Sequence, residues 1–507
     1  MSETAAMSET SVPTLSHWIA GRPFAGSSTR TAPVYDPALG VVSSLVPLAD
    51  QQDVDAAVAA AKAAFPAWRD TSWARRQQVI FAFRELLNAR KGELAAIVTA
   101  EHGKTLDDAL GEITRGQEVV EFATGMAHLA KGEYSENVST GVDVYSTRQP
   151  LGVTAVISPF NFPVMVPLWF VPISIAAGNA VVLKPSEKDP SASLWIAELW
   201  KEAGLPDGIF TVLQGDKVAV DGLLDHADIA SVSFVGSTPI ARYVYEQGTK
   251  AGKRVQALGG AKNHMLVLPD ADLDLVADAA INAGFGSAGE RCMAISVVVA
   301  VESIADELIE RVRERMSRLS VGDGRRANDM GPLITREHRD KVAGYIGVAD
   351  EDGATVVVDG RGVEADGPAD GFWLGPTLLD RVPTSSRAYM EEIFGPVLGI
   401  VRVSGFDEGV ALINSGPYGN GAAVFTNDGG AARRFQREVE AGMVGINVPI
   451  PVPVATFSFG GWKHSLFGDS KAHGMEGVEF FTRAKVVTSR WLDPSHGGVD
   501  LGFPQNA

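Results

Sequence analysis

Residues 152–187 read GVTAVISPFNFPVMVPLWFVPISIAAGNAVVLKPSE, and their rhythm decides the fold class. GVTAVISP is an apolar, β-branched run that ends in a turn, and NAVVLKPS repeats the pattern. Between them, Pro163 to Ala177 reads as a deeply buried helix. No residue from Gln149 to Leu183 is charged, a length that invites a membrane span. Pro159, Pro163, Pro167 and Pro172 interrupt it, as do Asn161, Gly178 and Asn179. A buried crossover helix between two core strands is therefore expected.

The alternation continues outward. SASLWIAELWKEAGLP is an amphipathic helix, GIFTVLQG a strand, and IASVSFVGS a strand leading into a helix capped by Thr238 with Pro239 at its first position. Upstream, Asp53 to about Ala130 is helical. Downstream, RVQALGG, HMLVLPD and SVVVAVES restart the rhythm, and αβ units follow to about Val448. Two α/β domains with parallel sheets are expected, with strands near 141–148 and 480–491 left over as a small third element.

Composition excludes other classes. The 507 residues carry 44 basic and 62 acidic side chains, a net charge of −18, which disfavours nucleic acid and anionic membranes as partners. One cysteine, Cys292, forbids an intrachain disulfide, a multi-cysteine zinc site and an iron–sulfur cluster held by this chain alone. No metal-ligand motif occurs among the nine histidines. The opening MSETAAMSETSVPTLSH reads as a disordered tail over 1–16, and a cytoplasmic protein is expected.

Two motif matches are set aside. Gly284–Gly289 is literally GxGxxG, yet it follows a helix and runs into a strand, the reverse of the dinucleotide-binding order. Gly103-Lys104-Thr105 mimics a phosphate-loop ending without its first glycine and reads as a helix connection. Cys292 is more informative. A lone cysteine is usually a small buried hydrophobe, but this one lies in the glycine-rich FGSAGERCMAIS beside Arg291. A close guanidinium is expected to raise its thiolate fraction, and a loop N–H there could hold an oxyanion.

Ser158-Pro159-Phe160-Asn161-Phe162-Pro163, Lys184-Pro185-Ser186-Glu187, Phe234-Val235-Gly236-Ser237, Gly289-Glu290-Arg291-Cys292 and Glu392-Ile393-Phe394-Gly395-Pro396 together resemble the ordered motif set of the aldehyde dehydrogenase superfamily, over residues 17–495. The resemblance implies an α/β fold: a Rossmann-like NAD-binding domain (17–137 and 152–258), a catalytic domain (259–448) and a small β oligomerisation element (138–151 and 449–507). It implies Cys292 as nucleophile and Asn161 as oxyanion donor. For NAD it implies Ser158, Phe160, Lys184, Glu187, Lys188, Ser237, Glu392 and Phe394, with the Glu187 carboxylate repelling a 2′-phosphate. Homodimers or homotetramers are typical of that family.

Two departures narrow the chemistry. Where most of the superfamily has a glutamate that activates water, the run is Leu258-Gly259-Gly260-Ala261-Lys262, and leucine accepts no proton. A thiol cosubstrate is then a better acyl acceptor than water. Arg115 in GEITRGQE, Arg291, VQALGGAKNH and FSFGGWKHSLFGD resemble the malonate and methylmalonate semialdehyde branch, which makes acyl-CoA and releases the substrate carboxylate. Arg115 and Arg291 would bind that carboxylate, with CoA as cosubstrate. The alternatives are a hydrolytic relative using Glu392 as base, or an inactive NAD-binding relative, which retention of Cys292 with Asn161 argues against.

Overall fold

A computed structural model describes residues 12–449 and 454–491 of the chain. Five parallel strands form the centre of the first sheet: β1 (Val153–Ile157), β2 (Ala180–Lys184), β3 (Phe210–Val212), β4 (Ile229–Val235) and β5 (Arg254–Leu258). Their order is β3-β2-β1-β4-β5. The chain winds away from β1 in both directions, so a crevice opens at the carboxyl ends of β1 and β4. Antiparallel strands flank them, His17–Ile19 and then Arg22–Phe24 beside β3, and Leu466–Phe467 beside β5.

The second sheet repeats the design with β6 (Asn263–Val267), β7 (Ile295–Val301), β8 (Thr377–Asp380), β9 (Val397–Val403), β10 (Gly421–Phe425) and β11 (Met443–Ile446). These six run β8-β9-β7-β6-β10-β11, each pair parallel, and Thr355–Val358 adds an antiparallel edge strand beside β8. Each sheet has its own apolar core. The third sheet is antiparallel: Tyr134–Ser139, Val142–Pro150 and Thr482–Arg490.

The helix expected at Pro163–Ala177 runs over Met165–Ala177 and is buried at every position. Its opening is set from a distance, because Glu112 Oε1 accepts from the N–H groups of Val164 (2.8 Å) and Met165 (3.1 Å). Gly178 at φ +103° ends it in a conformation that favours glycine. Asn179 then takes the N–H groups of Leu151 and Gly152 and gives to Ser174 and Phe481 carbonyls, pinning the crossover to the sheet and to the C-terminal segment. No helix among the described residues is long and apolar enough to cross a membrane.

Several boundaries differ from expectation. Of the tail expected over 1–16, residues 1–11 lie outside the described residues, while Pro13 and Leu15 bond to Leu45 through 2.8 Å backbone hydrogen bonds. The third sheet begins at Tyr134, before the expected 138. The segment 449–507 divides: Leu466–Phe467 joins the first sheet, helix Gly474–Phe480 buries Val478 and Phe480 in the first core, and Thr482–Arg490 alone joins the third sheet. Residues 450–453 and 492–507 of that segment lie outside the described residues. A two-residue strand has no periodicity to read, so only tertiary pairing reveals it. The cap after β4 is Ser237; Thr238 is already helical, and its Oγ1 accepts from Gly260 N at 2.9 Å.

Candidate active site

The carboxyl ends of the first sheet deliver the polar residues. Ser158 follows β1, Lys184 ends β2, Ser237 follows β4, and Gly259 follows β5. All line one chamber of about 730 Å³, together with Glu187, Lys188 and Phe160. From the second sheet Glu392 and Phe394 reach the same chamber, so all eight expected coenzyme residues meet there. The Ser158 hydroxyl is buried without a partner. Ser237 makes no side-chain cap bond, so the helix Thr238–Lys250 presents free N–H groups to an anion.

Local packing holds these groups. Lys184 Nζ stands 3.1 Å from Glu187 Oε2. Burial alone would raise the Glu187 carboxyl, but Lys184, its own N–H and Lys188 hold it below the ordinary range. Lys188 Nζ lies 4.7 Å from the centre of the Phe160 ring, which meets Phe394 edge-on at 5.9 Å. Glu392 Oε1 accepts from Ala261 N at 2.8 Å. A Cβ on Gly260 would stand 2.2 Å from Glu392 Oε2, so glycine is what lets this carboxyl approach. Lys262, buried and lowered to about 8 by that burial, anchors the segment through the Ala388 and Glu391 carbonyls at 2.7 Å each.

Cys292 lies in the turn that enters β7. Its carbonyl accepts from Asn263 (2.9 Å) and Asn420 (3.1 Å), which fixes the backbone. Asn161 Nδ2 is 3.5 Å from Sγ and donates to the Glu290 carbonyl at 3.0 Å. Asn161 is itself clamped from below. Lys104 Nζ donates to its carbonyl at 2.6 Å and pairs with Glu112 at 2.7 Å, both side chains being 0% exposed. Glu112 also caps the helix that Asn161 precedes, so one buried ion pair positions the whole turn.

Cys292 also walls a second chamber of about 280 Å³, lined by Arg115, Arg291, Trp169, Phe459 and Met165. The structure thus brings both expected arginines into one chamber with Cys292. It corrects the idea that Arg291 activates the thiol. The Arg291 guanidinium is bound to Asp108, and burial pushes Cys292 up to about 11, with Asn161 opposing and Glu392 adding to the rise. Arg115 pairs with Glu118 at 2.7 Å and is 44% exposed. With the thiol so raised, its thiolate fraction near neutrality is of order 10⁻⁴ and grows about tenfold per pH unit. Iodoacetamide labelling of the free enzyme should follow that slope from pH 7 to 10; a plateau by pH 8 would contradict it.

Sequence reasoning passed over Lys104, Glu112, Asp108 and Glu290. Lys104 reads in sequence only as part of a helix connection, and nothing local marks it as buried. Glu290 is fully buried, with Oε1 3.5 Å from His338 Nε2 and Oε2 3.7 Å from His102 Nε2, and burial raises it to about 8. Leu258 closes β5 at 3% exposure in the first core, and the chamber wall beyond it is Gly259 and Gly260. That stretch offers no side-chain proton acceptor.

An aldehyde dehydrogenase family model matches residues 24–487. The chain belongs to the aldehyde dehydrogenase family. It is 53% identical over 494 residues to a malonate-semialdehyde dehydrogenase of Pseudomonas aeruginosa, covering 97% of this chain and 99% of that protein. A Sinorhizobium meliloti protein assigned as methylmalonate-semialdehyde dehydrogenase and solved with NAD superposes with TM-score 0.94 at 50% identity, over 96% and 99% of the chains. A methylmalonate-semialdehyde dehydrogenase of Oceanimonas doudoroffii gives 0.93 at 50% identity, over 95% and 99%. The two sheets and the third element are thus the aldehyde dehydrogenase fold.

Proposed function

We propose that this aldehyde dehydrogenase oxidises malonate semialdehyde or methylmalonate semialdehyde with NAD and passes the acyl group to CoA. The products are acetyl-CoA or propionyl-CoA, with loss of the substrate carboxylate. One observation carries the reading: Cys292 is the shared wall of a large chamber at the strand ends and a small chamber holding two guanidiniums. The names of the relatives support the substrate class.

The larger chamber suits NAD on its own evidence, through the unpartnered Ser158 hydroxyl and the open helix start at Ser237. Glu187 and Lys184 would hold the adenine ribose, and Glu392 with Phe394 the nicotinamide end. Bound there, NAD supplies the hydride acceptor. The Cys292 thiol loses its proton to solvent, the thiolate adds to the aldehyde carbon, and Asn161 Nδ2 stabilises the resulting oxyanion, a contribution of about 3 kcal/mol. Arg115 and Arg291 anchor the carboxylate, which orients the carbonyl toward Sγ. After oxidation a thioester remains on Cys292. A carboxylate β to that thioester can leave as carbon dioxide, because the carbanion left behind is an enolate.

The glycine wall beyond Leu258 supplies no base for water, whereas the thiolate of CoA needs none. Omitting CoA should therefore lower steady-state NADH formation from malonate semialdehyde by at least ~10²-fold, and mass spectrometry should find acetyl-CoA in the complete mixture. Equal turnover without CoA, with free acid as product, would favour the hydrolytic alternative in which Glu392 acts as base. Copies of the chain are proposed to pair through the third sheet as a cytoplasmic homodimer or homotetramer; Thr482–Arg490 offers a nine-residue strand at its edge.

A further inference from the structure

Asp108 sits in the first turn of the helix Leu106–Thr124, three residues after the cap Thr105. A carboxylate there commonly turns back to the cap's own N–H. This one reaches across to the nucleophile loop instead. Oδ2 accepts from Ser287 N at 3.0 Å, and Oδ1 takes the Arg291 guanidinium. Ser287 and Ala288 both hold φ of +53°, in the left-handed region that residues with side chains avoid. The strained turn is thus tied to Asp108. The guanidinium is confined from a second side as well, since a Cβ on Gly286 would lie 2.4 Å from Arg291 Nη1.

The other charges of the small chamber are differently placed. Glu112 is bound to Lys104, and Arg115 pairs with its helix neighbour Glu118. Among the described residues, Asp108 alone joins the helix, the strained turn and the arginine adjoining Cys292. We propose that Asp108 is a specificity-determining positioning residue: it fixes the plane of Arg291 so that the remaining donors meet the carboxylate of an aldehyde whose carbonyl lies at Cys292. This rests on the carboxylated-substrate reading given above and adds the residue that enforces it.

Because the chain has a single thiol, the arginine's field can be read without coenzyme or CoA. The probe is the ratio of second-order rates for iodoacetate and iodoacetamide at Cys292. Asp108→Asn also deletes a carboxylate that repels iodoacetate, so the charge-conserving Asp108→Glu is the variant that carries this readout. It should raise KM for malonate semialdehyde about threefold, with a clearly smaller loss of kcat/KM for propanal. In an Arg291→Gln background, Asp108→Glu should leave the ratio within about twofold, since the effect runs through the guanidinium. Asp108→Glu keeps the charge and safeguards folding, yet displaces it by one methylene, and should lower the ratio about threefold. A ratio that is unchanged or raised in the folded Asp108→Glu variant overturns the proposal, and so does an equal loss on both aldehydes. If turnover proves independent of CoA while the ratio still falls, the clamp stands and only the acyl-transfer reading fails.

Discussion

Cys292→Ser is expected to reduce NADH formation by ~10⁴-fold or more while coenzyme binding, followed by quenching of protein fluorescence, is retained. Both half-reactions suffer. A serine hydroxyl is far less acidic than a thiol, and the contact recorded at Sγ is a donor, Asn161 Nδ2, not a base. The oxygen ester that would follow is also a poorer acyl donor to a thiol than a thioester. The geometry of the larger chamber depends on strand ends that the substitution does not touch, so affinity for NAD should stay close to that of the parent. Retained activity above one part in a thousand would mean that Cys292 is not the nucleophile.

Lys104→Met should lower stability by about 3–5 kcal/mol, because it leaves the Glu112 carboxylate buried and uncompensated. Chemical denaturation at pH 7 measures this. The same change releases the Asn161 carbonyl, so kcat should fall beyond what the folded fraction explains. The double variant Lys104→Met, Glu112→Gln removes both charges and should recover most of the stability. It should not recover kcat, since the amide cannot replace the ammonium at the Asn161 carbonyl. Equal recovery of both would make the pair a matter of stability alone.

The Arg291 result shows where one-dimensional reasoning failed. Adjacency in sequence suggests a guanidinium acting on the thiol, but adjacency does not decide which anion a side chain pairs with. Arg291 is drawn to Asp108, 183 positions upstream, and the thiol is governed by burial and by Asn161. Helix Met165–Ala177 shows the converse. Thirteen residues, twelve of them apolar, that follow Pro163 and end at Gly178 read directly as a buried crossover, although its first turn is capped from another helix.

The alternation of strands and helices and the parallel sheets were legible in the chain, because periodicity and turn chemistry are local properties; the proposed nucleophile and coenzyme residues came from the family resemblance of its motifs. The buried Lys104–Glu112 pair, the Asp108 clamp, the shared wall at Cys292 and the division of the C-terminal segment among three places were decided only in three dimensions. Each depends on groups far apart in sequence meeting where water is excluded, and local pattern carries no record of such meetings.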